Sequence, residues 1–151
     1  MKQSVIISII YSLIGISVGL YISHLSSAEG YDYFPIFSGL SSFIVTFLIW
    51  KYIVLRREQT TLFAGGFAGF IIVLLSHHLT LYFLTVVIYI QIKFFNFPMS
   101  VGGEPIDPIQ GIYLIYPMTI FSYILPGYIT IPLGTIIGCI YIKLQNRSKG
   151  I

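Results

Sequence analysis

A chain of 151 residues that is 56% hydrophobic, 17% aromatic and only 9% charged has too few charges to cover a water-facing surface, since a soluble domain carries about 25%. With a mean hydropathy of +0.91, this composition excludes an ordinary soluble domain and points to a lipid bilayer as the solvent. The net charge of +3 comes from basic residues scattered over separate segments, with no patch that could follow a phosphate backbone, so nucleic acid is not an expected partner.

Four apolar segments stand out in chain order, and a spanning helix needs about 20 apolar residues. "SVIISIIYSLIGISVGLYIS", residues 4–23, and "FPIFSGLSSFIVTFLIWKYIVL", residues 34–55, fit directly. After the first, Ser26 and Ala28 offer small residues where a signal peptide could be cut. A signal-peptide core is about 7 to 15 residues, and this one is longer, so the segment is expected to stay as a span. The third segment, 62–92, holds no charge or proline. As a helix it would be about 46 Å long against a hydrocarbon core of about 30 Å, so it must tilt or project, and Lys93 with Phe94, Phe95 and Phe97 reads as an interfacial anchor.

The fourth segment, 112–144, contains Pro117, Pro126 and Pro132, and "LPG" at 125–127 is a break signal. Its main span is expected at 127–144. Residues 112–125 are then an interfacial helix, a re-entrant piece or the outer half of a broken helix. Before them, "NFPMSVGGEPIDPIQG", residues 96–111, is the longest polar stretch. It reads as a proline-stiffened linker or as a functional outer loop with Glu104 and Asp107 as candidates.

Basic residues set the orientation. Lys2, Lys51, Arg56, Arg57, Lys143, Arg147 and Lys149 fall at one end of this threading and Lys93 alone at the other. The positive-inside rule then places both termini in the cytoplasm, where the "NRS" glycosylation pattern at 146–148 would be inert. Tyr31, Tyr33, Phe34, Phe94, Phe95, Tyr113 and Tyr116 would girdle the outer interface and Trp50, Tyr52 and Tyr141 the inner one. The expected fold is therefore all-α: a single-domain integral membrane four-helix bundle, N-in and C-in, with a proline-broken last segment. Small size and compact loops favour a bacterial cytoplasmic (inner) membrane.

Lipid is as apolar as leucine, so helices in it associate through small residues that let backbones approach. The first span has such a seam in Ser4, Ser8, Ser12, Gly15, Gly19 and Ser23, within an arc of about 100°. Ile7 and Ile10 would then face lipid. The third and fourth segments each hold a GxxxG pair, Gly65 with Gly69 and Gly134 with Gly138.

The sharpest chemical feature is "SHHLT", with Ser76, His77, His78 and Thr80 inside an unbroken apolar run. His77 would lie about 22 Å along its helix, near mid-membrane, where an ionisable group is a functional candidate by default. Adjacent helical residues diverge by about 100°, so both rings are buried only if this helix has neighbours on most sides. Three readings compete: neutral imidazoles hydrogen-bonding between helices, a histidine on a transport or proton path, and a haem or metal ligand. The last is weakest, because His24 is the only other histidine and is too shallow to face His77. Lone Cys139 makes an intrachain disulfide impossible and reads as a small hydrophobe. No Walker loop, HExxH or GxSxG motif is present.

Together these features lead to a non-catalytic accessory or assembly subunit that works by helix contact with a membrane protein partner or with itself, without cofactor or metal. A small transporter or pore component with His77 on its path comes second, and a haem- or metal-binding redox subunit third.

Overall fold

The computed structural model describes residues 2–25, 31–56, 61–95, 105–124 and 127–149. Glu104, the Gly102-Gly103 pair, Arg57 and the candidate cleavage residues Ser26 and Ala28 lie outside the described residues. Every described element is helical: α1 (Lys2–Leu25), a 3₁₀ turn (Tyr31–Tyr33), α2 (Phe34–Ile49) continuing into a π-helical turn (Trp50–Leu55), α3 (Leu62–Phe95), α4 (Pro108–Ile124) and α5 (Gly127–Lys149). Four stretches are long and apolar enough to cross a membrane: Lys2–Leu25, Phe34–Leu55, Leu62–Phe95 and Gly127–Arg147.

Local chemistry accounts for the helix starts. Thr61 caps α3, its hydroxyl accepting from the Ala64 N–H at 3.2 Å and its carbonyl from the Gly65 N–H at 3.2 Å. Asp107 caps α4, its carboxylate accepting from the Ile109 N–H at 2.8 Å. Pro108 follows at the first helical position, where a missing N–H costs nothing. Asp107, a candidate of the polar outer loop, thus has a structural task. The π turn keeps the second span continuous while seating Trp50, 0% exposed, edge-on to Tyr141 with ring centroids 5.3 Å apart.

α3 is the central element, touching α2, α4 and α5, while α1 packs on α2. The fourth segment follows α3 in the opposite sense. Gly111 lies beside Thr85, Thr119 beside His78, Ser122 beside His77, then Thr130 beside His77, Gly134 beside Gly69 and Gly138 beside Gly65. The described parts of the fourth segment, α4 and α5, therefore run along α3 in one direction.

The closest helix approaches run through small residues. A Cβ on Gly65 would lie 2.5 Å from the Gly138 carbonyl oxygen, and one on Gly138 would run into the Gly65 carbonyl. Gly69 faces the Gly134 carbonyl in the same manner. Between α1 and α2, a Cβ on Gly15 would sit 2.6 Å from the Ser38 carbonyl oxygen and one on Gly19 2.6 Å from Pro35 Cα. Ser8 is buried and Ser12 half-buried on the same face of α1.

Two placements differ from those expected of the sequence. Ile7 is 0% exposed, not lipid-facing. α1 buries a second flank, where Ile7 and Tyr11 join Trp50, Ile72 and Ile142 in one apolar cluster. Trp50 belongs to that cluster, not to an interfacial girdle.

Overpacking typically costs about 1–3 kcal/mol. Gly69→Ala and Gly138→Ala are therefore expected to lower the melting temperature in mild detergent by several degrees. Gly111→Ala should be tolerated, because its Cβ would meet only the Thr85 methyl, at 3.1 Å, before 3.8 Å. Equal melting curves for all three would disprove close backbone contact between α3 and α5.

Candidate functional site

His77 of α3 bridges α4 and α5. Its Nδ1 is 3.2 Å from Ser122 Oγ, on the last turn of α4, and its Nε2 is 3.0 Å from Thr130 Oγ1, on the first turn of α5. Tyr123 adds a third tie, its hydroxyl donating to the Leu74 carbonyl at 3.0 Å while its ring meets His77 edge-on at 5.8 Å.

The bond directions assign the tautomer. Ser122 Oγ donates to the Thr119 carbonyl at 2.8 Å, so it receives the Nδ1–H of His77. In a neutral ring Nε2 is then left as the acceptor nitrogen, 3.0 Å from Thr130 Oγ1. His78 follows the same rule on the other flank. Thr119 Oγ1 donates to the Ile115 carbonyl at 2.8 Å and therefore accepts the Nδ1–H of His78, at 3.1 Å. Both nitrogens of His77 are thus engaged by hydroxyls, which leaves neither turned to a haem iron or metal. Among the described residues no three His, Cys, Asp or Glu side chains come together as a metal site.

A cavity of about 60 Å³ adjoins His77 between α1, α2, α3 and α5. Its polar wall comprises Tyr11, Ser38, Ser42, Ser76, Thr80 and Thr130, beside His77. The rest of the lining is apolar, with Ile14, Val18, Ile22, Phe34 and Val73. Tyr11 donates to the Gly134 carbonyl at 2.5 Å and Ser38 to the Gly15 carbonyl at 2.7 Å. Ser76 Oγ is buried with no hydrogen-bond partner. The lining climbs α1 from Tyr11 to Ile22 and meets α2 at its start, so the cavity extends toward the end of the molecule opposite Lys2. With α1 as ruler, His77 lies about 12 Å beyond the level of Tyr11, near that of Gly19.

The four polar candidates of α3 therefore separate. Ser76, His77 and Thr80 share the cavity, whereas His78 turns to α4. Tyr11, Ser38, Ser42, Ser122 and Thr130 were not singled out from sequence. The available signals were the "SGLSS" cluster at 38–42, and hydroxyls on both sides of the "LPG" break.

The class defined by these helices is a polytopic, all-helical integral membrane protein. Comparison with known proteins gives no match: no family model matches the chain, no curated protein does, and no solved structure does.

Interhelical polar contacts in membranes average about 0.6 kcal/mol, so His77→Leu, which loses two, should destabilise by about 1 kcal/mol in denaturant titration. His78→Leu should lose about half as much. His77→Gln keeps a polar group in reach of Ser122 and Thr130 and should stay close to wild type. Leu and Gln variants of equal stability would show that the bonds from His77 to α4 and α5 contribute nothing.

Proposed function

We propose that this chain is a small polytopic protein of a bacterial cytoplasmic membrane, with both termini in the cytoplasm, that accepts a small solute from the outer face as a carrier or pore component and performs no catalysis. The observation that carries the reading is the hydroxyl-lined cavity beside His77, between α1, α2, α3 and α5. Polar groups inside a bilayer that face a cavity between helices commonly mark solute pathways. The orientation is supported by charge: exposed Lys2, Arg56, Lys143 and Arg147 and half-buried Lys51 belong to one end, against Lys93 at the other. The cavity extends toward the Lys93 end, hence outward.

The accessory-subunit reading is favoured by a different observation. α4 holds to the rest of the molecule through a narrow stripe of Gly111, Ile115 and Thr119, and it leaves Ile112, Tyr113, Tyr116, Ile120, Phe121 and Ile124 exposed. Such a face suits a partner helix as well as it suits lipid. Co-purification of a stoichiometric membrane protein in mild detergent, with no solute flux, would favour this second reading.

Two experiments test the proposal. In a Cys139→Ala background, an impermeant thiol reagent added to intact cells should label Lys93→Cys and leave Arg56→Cys unlabelled until lysis; the reverse pattern overturns the orientation. Proteoliposomes should swell in small permeant solutes faster than protein-free liposomes, and His77→Ala should abolish the difference. Swelling equal to protein-free liposomes in every solute tried, neutral and charged, overturns the transport reading.

A further inference from the structure

We propose that the groove between α3 and α5 at the basic end of the molecule holds one anionic phospholipid, with an acyl chain along the groove and the phosphate at Lys143. The first ground is the lining. Phe63, Phe67 and Phe70 of α3 line the groove together with Thr135 and Cys139 of α5. The three rings stand in series, with successive centroids 6.3 and 6.5 Å apart. Phe63 is 82% and Phe67 56% exposed. The two helices meet at Gly66, where a Cβ would lie 2.8 Å from Cys139 Sγ.

The polar side chains of the lining are already engaged. Thr135 donates its hydroxyl hydrogen to the Ile131 carbonyl at 2.9 Å, and Cys139 its thiol hydrogen to the Leu62 carbonyl at 3.3 Å. The side chains that line the groove thus have no hydrogen left to donate. What they offer an occupant is ring and hydrocarbon surface, which suits an acyl chain. From Leu62 to Phe70 the groove runs about 12 Å along α3.

The second ground is charge. Residues four apart share a helix face, so the line of Thr135 and Cys139 continues to Lys143, about 6 Å further along α5. Cys139 already lies at the Leu62 end of the groove, which puts Lys143 past that end. Lys143 is exposed, as is Arg147 one turn on. Among the described residues the only acids are Asp32 and Asp107. Both belong to the opposite end of the molecule, so no described acid neutralises these cations. An apolar groove that opens beside such cations matches a lipid with a negative headgroup. A second copy in the same orientation would instead bring cation to cation.

Native mass spectrometry of the purified full chain provides the test, with equimolar dioleoyl phosphatidylglycerol and dioleoyl phosphatidylcholine added in mild detergent. The two lipids carry the same chains and differ in headgroup charge. One phosphatidylglycerol should bind, favoured about fivefold over phosphatidylcholine, the usual effect of one basic side chain near an anionic headgroup. Lys143→Gln should bring that ratio close to one. Lys51→Gln should leave it unchanged, because Lys51 lies over the Phe47 and Tyr52 rings of the second span, which does not line the groove. Phe67→Ala should weaken binding of both lipids, with unchanged far-UV circular dichroism to confirm that the variant folds. Equal binding of the two lipids, an unchanged preference in Lys143→Gln, an equal loss of preference in Lys51→Gln, or full lipid binding in Phe67→Ala would each overturn the assignment. A dimer that phosphatidylglycerol leaves intact and Phe67→Ala disperses would overturn it in favour of a second copy.

Discussion

Hydrocarbon cannot hydrogen-bond, so polar groups inside a bilayer must be met by protein. Most of the unusual chemistry of this molecule is gathered where α4 and α5 both meet α3 at His77. His77 is suited to the place because a neutral imidazole is donor at one nitrogen and acceptor at the other. It meets Ser122 on α4 and Thr130 on α5. A lysine there would bring a charge, and an apolar residue would bring no bond.

Around this point the helices are held by two kinds of contact. α3 and α5 approach backbone to backbone through glycines, and α1 and α2 through glycine and serine. Polar side chains then cross between helices to carbonyls: Tyr11 to Gly134, Ser38 to Gly15, Tyr141 to Gln3. For Ser38 the second kind depends on the first, because a hydroxyl on so short a side chain reaches a neighbouring backbone only where the helices are already close. The cavity at Ser76 sits where close contact gives way, above the level at which Tyr11 meets Gly134.

The long apolar segments were legible because a bilayer imposes a length and a composition that few other environments do. The span at 34–55 appears with the same ends. What was not legible depended on rotation and depth. Ile7 looked lipid-facing because one seam on α1 implied one buried flank, and only the arrangement of α5 supplies the second. Trp50 was placed by the habit of aromatic residues at interfaces, yet it sits in the buried cluster, seated by the π turn. The cavity was invisible because its hydroxyls come from four helices, and sequence spacing speaks only for side chains on the same one. "SHHLT" pointed to a polar site on α3 but not to its partners Ser122 and Thr130, which lie on α4 and α5.

The paired glycines carry a consequence for descent. Gly65 opposes Gly138 and Gly69 opposes Gly134, so each member already has the smallest side chain available. A gain of volume on one side has no compensating loss on the other, and the pairs cannot drift by complementary exchange as a large and a small residue can. In related chains this seam would register as fixed positions without covariation. Methods that read contacts from correlated substitutions would miss the tightest approach in the molecule, while the looser contacts of α4 would leave a clearer trace.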